Sequence, residues 1–123
     1  MNINKWLSVF GDGVDKKIIK EHVKAEYNYL WHIFTWGEAP CLKGDEARKA
    51  FDALEYTEAV RFTGSNKVKN ISAVGKLSAV DVDNDPASDV YIVATDYSWT
   101  YVRTHEKGSC GPYFCIKKQD TSR

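Results

Sequence analysis

Net charge is the first thing this chain lacks, since seventeen Lys and Arg balance seventeen Asp and Glu over 123 residues. Without bulk positive charge it has none of the attraction on which general duplex nucleic-acid binders depend, so no duplex partner is expected and only a local basic pocket stays open. Cysteine is scarce: Cys41, Cys110 and Cys115 are odd in number and none forms a C-x-x-C pair. That usage excludes a disulfide scaffold and fits free thiols in a reducing compartment. No run approaches the roughly 18 apolar residues of a membrane span, and the N-terminus has neither the apolar stretch nor the cleavage site of a signal peptide. The reading is cytoplasmic with no membrane association, and the glycosylation pattern Asn70-Ile71-Ser72 is discounted accordingly. Proline and glycine are few, three and eight, with no repeat or low-complexity tract, which excludes collagen-like and disordered chains. Phosphate-cradling G-x-x-x-x-G-K-[ST] and G-x-G-x-x-G runs are missing, and no cofactor is expected.

What is present is 43% hydrophobic and 28% charged residues, the composition of one globular domain over 1–123. A chain of this size buries roughly two thirds of its unfolded surface and needs no structural metal to fold. Residues 6–10 are apolar and precede Gly11-Asp12-Gly13, which reads as a brief strand or an anchoring tail. From 15 to about 27, Ile18, Ile19, Val23 and Tyr27 recur near a helical period, with Asp12 or Asp15 as N-cap, and His22 packs at the core edge. Residues 29–36 read as a buried strand or as more helix, since period alone leaves both open. Gly44-Asp45-Glu46 opens a helix with Ala47, Ala50, Phe51 and Leu54 on one face. Residues 57–63 alternate as a strand, Gly64-Ser65-Asn66-Lys67 turns, and 68–82 holds one or two weak strands before the loop at Asn84-Asp85-Pro86. Residues 89–94 and 99–106 form an antiparallel hairpin, 113–117 a last strand, and 117–120 a solvated tail. The expected fold is α+β: an antiparallel sheet of about four to six strands with two helices packed on one face.

Alternation on the second hairpin strand puts Trp99, Tyr101, Arg103 and His105 on one side. Arg and His do not suit a core face, and Trp and Tyr do not suit plain solvent, so the row reads as a pocket wall or interface. The bland reading sets Trp99 and Tyr101 over a core edge with Arg103 and His105 in water. Rings stack on planar bases and guanidinium binds phosphate or carboxylate, while the same residues serve protein hot spots. Trp31 and His32, with Trp36 nearby, are expected to supply the opposite wall. The candidate ligand-binding set is therefore Trp31, His32, Trp99, Tyr101, Arg103 and His105, with no catalytic and no metal-binding residue assigned.

Asp81, Asp83 and Asp85 imitate the start of a calcium loop, but Pro86 stands at the turn glycine and Ile92 at the bidentate Glu, so a solvated acidic loop is the better reading. For zinc, His32, Cys41, His105 and Cys110 lack the close spacing of structural sites. Cys110 with His105 is the one nucleophile and base pair to name, and it predicts a thiol of depressed pKa.

Leu30-Trp31-His32-Ile33-Phe34, Cys41-Leu42-Lys43-Gly44-Asp45-Glu46-Ala47, Ala50-Phe51, Asp89-Val90-Tyr91-Ile92-Val93, Trp99-Thr100-Tyr101-Val102-Arg103-Thr104-His105-Glu106 and Cys110-Gly111-Pro112-Tyr113-Phe114 together resemble a small bacterial family, the domain of unknown function DUF4275. The likeness covers most of 30–114, with W-T-Y-V-x-T-H-E and C-G-P-Y-F its most specific parts, and is poor over 55–88 and the N-terminal helix. It implies a shared structure and names no reaction or site residue. The functional expectation is a non-enzymatic protein that captures an anionic, nucleotide-derived signalling molecule by sequestration. The alternatives are an immunity protein that binds a protein toxin through an acidic face at Asp81, Asp83, Asp85 and Asp89, and, least favoured, a Cys/His enzyme. Self-association is left open.

Overall fold

The computed structural model describes residues 2–25, 29–64, 68–106 and 109–117. The turn expected at 65–67, the helix end at Tyr27 and the tail beyond Lys117 lie outside these residues.

Helix α1 (Ile3–Phe10) replaces the expected brief strand or tail. Asn2 caps it by accepting the Lys5 amide at 3.1 Å, and Trp6, Leu7 and Phe10 form its buried face. Gly11 ends it by donating to the Leu7 carbonyl at 2.8 Å, and a Cβ there would meet that oxygen at 2.7 Å, so no larger residue fits. Asp15 caps the next helix, α2 (Lys16–Ile18), which widens into a π-turn (Ile19–Val23) and stops short of the expected length. The ambiguous aromatic run forms a single turn, α3 (His32–Thr35), because Leu30, Trp31, Ile33 and Phe34 are all buried.

The strands are β1 (Leu42–Lys43), β2 (Ala59–Gly64), β3 (Val68–Val74), β4 (Val90–Ala94), β5 (Trp99–Arg103) and β6 (Tyr113–Ile116). They form one antiparallel six-stranded sheet in the order β1-β6-β5-β4-β2-β3. Helix α4 (Gly44–Ala53) runs as expected, with Asp45 and Glu46 in its first turn and Ala47 and Phe51 buried. Helix α5 (Ala79–Asp83) occupies what read as weak strand, held by a capping box between Ser78 and Asp81.

The α+β class and the antiparallel sheet hold, but helices cover both faces rather than two covering one. Tyr91 and Val93 of β4 pack toward α1 and α3 with Trp6, Trp31 and Phe34, while Val90, Ile92 and Ala94 pack toward α4 and α5 with Phe51 and Val82. Burial on both sides explains why β4 is continuously apolar instead of alternating. Trp6 ties the first layer down by donating from Nε1 to the Thr100 hydroxyl at 3.2 Å.

Candidate functional site

Asp89 sits just before β4 and His105 just beyond β5, at the end of the hairpin away from its turn. Asp89 is 3% exposed, and its Oδ1 accepts both the His105 amide at 2.8 Å and the His105 ring Nδ1–H at 2.9 Å. A carboxylate acceptor fixes the proton on Nδ1 and leaves Nε2 without a hydrogen bond among the described residues. The ring is 37% exposed and lies 5.0 Å from the Tyr29 ring and 5.9 Å from that of Trp31. Tyr29 and Trp31 are nearly parallel at 5.5 Å, and His32 stands edge-on to both, at 5.4 and 4.6 Å.

His32 repeats the arrangement of His105. Its Nδ1–H donates to the His22 carbonyl at 2.6 Å, again leaving Nε2 without a hydrogen bond among the described residues. His22 is half-buried and stacks on Trp36 at 4.0 Å, in keeping with a packed histidine at the core edge. Trp31 is buried, yet its Nε1 has no hydrogen-bond partner among the described residues; its amide donates to the Tyr91 hydroxyl at 3.2 Å. Burial holds the Tyr91 phenol well above its ordinary pKa, so it stays a neutral acceptor for that amide. Two imidazoles with anchored Nδ1 and unbonded Nε2 therefore flank one aromatic pair.

The sequence set divides across the sheet. Trp31, His32 and His105 come together, whereas Trp99, Tyr101 and Arg103 lie on the α4 and α5 side. Tyr101 is fully buried and stacks on Phe51 at 4.2 Å and 5°, and Trp99 packs against Phe51, Tyr56 and Phe114. Arg103 is 2% exposed and donates to four backbone carbonyls: Val82 from Nε at 3.2 Å, Ser88 from Nη1 at 3.0 Å, and Asp85 and Ala87 from Nη2 at 2.8 Å each. The expectation that Arg does not suit a core face fails because the loop after α5 turns its carbonyls inward and satisfies the guanidinium. His105 leaves the row because β5 ends at Arg103.

Sequence reading placed Asp89 on an acidic face rather than beside His105, and left Tyr29 out of the candidate set. The hairpin register held the signal for Asp89: Val90 pairs with Arg103, which sets Asp89 beside the 104–105 segment. Nothing in the spacing marks Tyr29.

The acidic stretch is internally matched. Asp81 belongs to the Ser78 capping box, Asp83 pairs with Arg48 at 3.3 Å, and Asp85 takes both Arg61 nitrogens at 2.8 Å. Arg61 and burial act oppositely on Asp85, and the Arg61 hydrogen bonds win, holding its carboxyl below the usual range. The segment that imitated a calcium loop is half helix, and among the described residues no three His, Cys, Asp or Glu side chains gather as a metal site.

Cys110 does not engage His105, whose Nδ1 belongs to Asp89. Burial and the Glu106 carboxylate push its thiol up from 9.0 instead of down. Alkylation of Cys110 by iodoacetamide is therefore expected to be slower at pH 7.5 than that of a free model thiol, and to accelerate as pH rises past 9. A rate already at its plateau at neutral pH would contradict this placement.

A cavity of about 380 Å³ also opens beside the end of α1, with Val9, Phe10, Val14, Cys115, Asp12 and Glu38 among its lining residues. Its carboxylates disfavour an anionic occupant.

The protein is thus of the class of α+β domains in which helices sandwich an antiparallel sheet, here with a histidine and aromatic cluster at the open end of the central hairpin. It belongs to the family described as Domain of unknown function (DUF4275), whose model matches residues 4–114. The matched span takes in residues 4–29, including the N-terminal helix read at 15–27, and residues 55–88, over which the motif likeness was poor or did not extend. No curated protein and no solved structure matches the chain. Among the described residues no helix is long and apolar enough to cross a membrane.

Proposed function

We propose that the protein is a non-enzymatic binding domain that takes an anionic, planar small molecule, of nucleotide-derived type, at Tyr29, Trp31, His32 and His105. The observation that carries this reading is the paired anchoring of the two imidazoles. With Nδ1–H fixed on Asp89 or on the His22 carbonyl, each ring offers Nε2 at a set angle, and protonation turns Nε2 into a donor for a phosphate or carboxylate oxygen. Tyr29 presents a half-buried ring next to them, a face for a planar base. Arg103 takes no part, because its guanidinium is occupied by the 82–88 backbone. The acidic face on which the toxin-binding alternative would draw is partly offset, since Asp83, Asp85 and Asp89 are paired with Arg48, Arg61 and His105.

Native mass spectrometry of the protein after incubation with a macromolecule-free cell extract tests the reading. A small-molecule mass gain is expected, and His105→Ala should weaken it about tenfold or more while Cys110→Ser leaves it unchanged. No mass gain, or a gain indifferent to His105→Ala, would overturn it.

A further inference from the structure

We propose that Cys41 and Cys115 are a built dithiol site that closes into a disulfide, stapling β1 to β6, when it meets a low-molecular-weight disulfide. The register carries the argument. Leu42 faces Phe114, Lys43 faces Tyr113, and the Gly44 amide donates to the Pro112 carbonyl at 2.9 Å. That bond marks 44 and 112 as a hydrogen-bonded pair of the antiparallel ladder. Alternation then makes 42 and 114 bonded, and 43 with 113 non-bonded. Continuing that register one residue beyond β1 sets Cys41 opposite Cys115 as a non-bonded pair, for which antiparallel ladder geometry gives a Cα separation of about 4.5 Å. That spacing falls at the close end of the roughly 4.4–6.8 Å that a disulfide spans.

The side chains agree with the register. Both cysteines pack in the same cluster on the α1 side of the sheet, and the Cys115 Sγ donates to the carbonyl of Pro40, the residue before Cys41, at 3.4 Å. Cys110 stands apart, engaged with Glu106, Ser109 and Tyr113. Cys41 is half-buried and Cys115 buried, so Cys41 is the thiol open to attack and Cys115 the one that resolves.

The chemistry balances in two exchanges. The Cys41 thiolate attacks one sulfur of the small disulfide, and the other leaves as a thiolate that takes up the proton Cys41 released. The Cys115 thiolate then attacks the Cys41 sulfur of the mixed disulfide, expelling the second small thiol. The protein loses two hydrogen atoms and the reagent is reduced to two thiols. Burial pushes the Cys41 thiol up to about 11 and that of Cys115 up to about 12, so closure is slow at neutral pH.

The test uses oxidised glutathione at mildly alkaline pH, applied both to the folded protein and to chain refolding from urea, in which the thiols start exposed. The expected product is a monomer lighter by two hydrogens, with Cys41 and Cys115 peptides linked and Cys110 still alkylatable, melting roughly 5–15 °C above the reduced form. Cys110→Ser should form the bridge equally well and Cys115→Ser should not. A dithiol that survives both treatments, a bridge to Cys110, or only intermolecular dimers would overturn the assignment.

Discussion

Arg103→Met should lower the stability of the fold by about 3–5 kcal/mol and its Tm by roughly 10–20 °C. Methionine is apolar and can occupy much of the same space, so lost packing is a minor part of the effect. What remains is four carbonyls that lose the guanidinium: that of Val82, at the end of α5, keeps the Asp85 amide at 3.2 Å, while those of Asp85, Ala87 and Ser88 in the partly buried loop lose this donor. Hydrogen bonds from a charged group contribute about 1.5–3 kcal/mol each, and an orphaned buried acceptor costs about 1–3. The loop can loosen and admit water to some of the four, which keeps the total below their sum. Against a whole-domain stability of about 5–15 kcal/mol the loss is large. Arg103→Lys should fall between, since an ammonium is a compact point donor that cannot span four oxygens held by a planar fork. Urea unfolding of the three proteins checks the order. A methionine variant within about 1 kcal/mol of the parent would mean that water already satisfies these carbonyls.

Phe51→Ala is expected to cost about 3–5 kcal/mol. Phe51 is fully buried on α4, stacked on Tyr101 and in contact with Trp99 and Tyr56, so its removal opens a void between α4 and the sheet. Collapse is limited there because the Tyr101 ring is carried by a strand hydrogen-bonded on both sides. The Tyr101 hydroxyl is buried with no partner among the described residues, and water entering the void could reach it, which offsets part of the loss. Denaturant unfolding gives the magnitude. The outcome also bears on the α4 face itself: if Trp99 and Tyr101 formed a ligand wall with mere cover over it, losing Phe51 would cost less than about 1.5 kcal/mol.

Much of the fold could be read from the residues, and the exceptions have local causes. The spacing of Ala47, Ala50, Phe51 and Leu54 permits only a helix, and 89–106 with its four-residue link permits little besides a hairpin. Helix α1 was harder, because five residues from Trp6 to Phe10 are too few for a period to declare itself and the cap, Asn2, lies outside the apolar run. Helix α5 was hidden by its aspartates, whose alternate spacing imitates a cation loop while Ser78 and Asp81 are in fact closing a capping box. The site was legible in half. His105, Trp31 and His32 were named and do meet. Arg103 was assigned to a ligand because a sequence displays side chains, and its partners are main-chain oxygens that no residue type announces.

That last feature has an evolutionary side. Arg103 holds the 82–88 segment by hydrogen bonds to backbone oxygens, with the Asp85 carboxylate adding only the attraction of its charge, so the hydrogen bonds themselves do not depend on the side chains at 87 and 88. Substitutions at Ala87 or Ser88 leave every acceptor in place, whereas inserting or deleting a residue between Val82 and Ser88 shifts the carbonyls out of the guanidinium's reach. The loop is therefore free to drift in composition and constrained in length, and relatives that keep an arginine at this position should share its residue count before they share its letters.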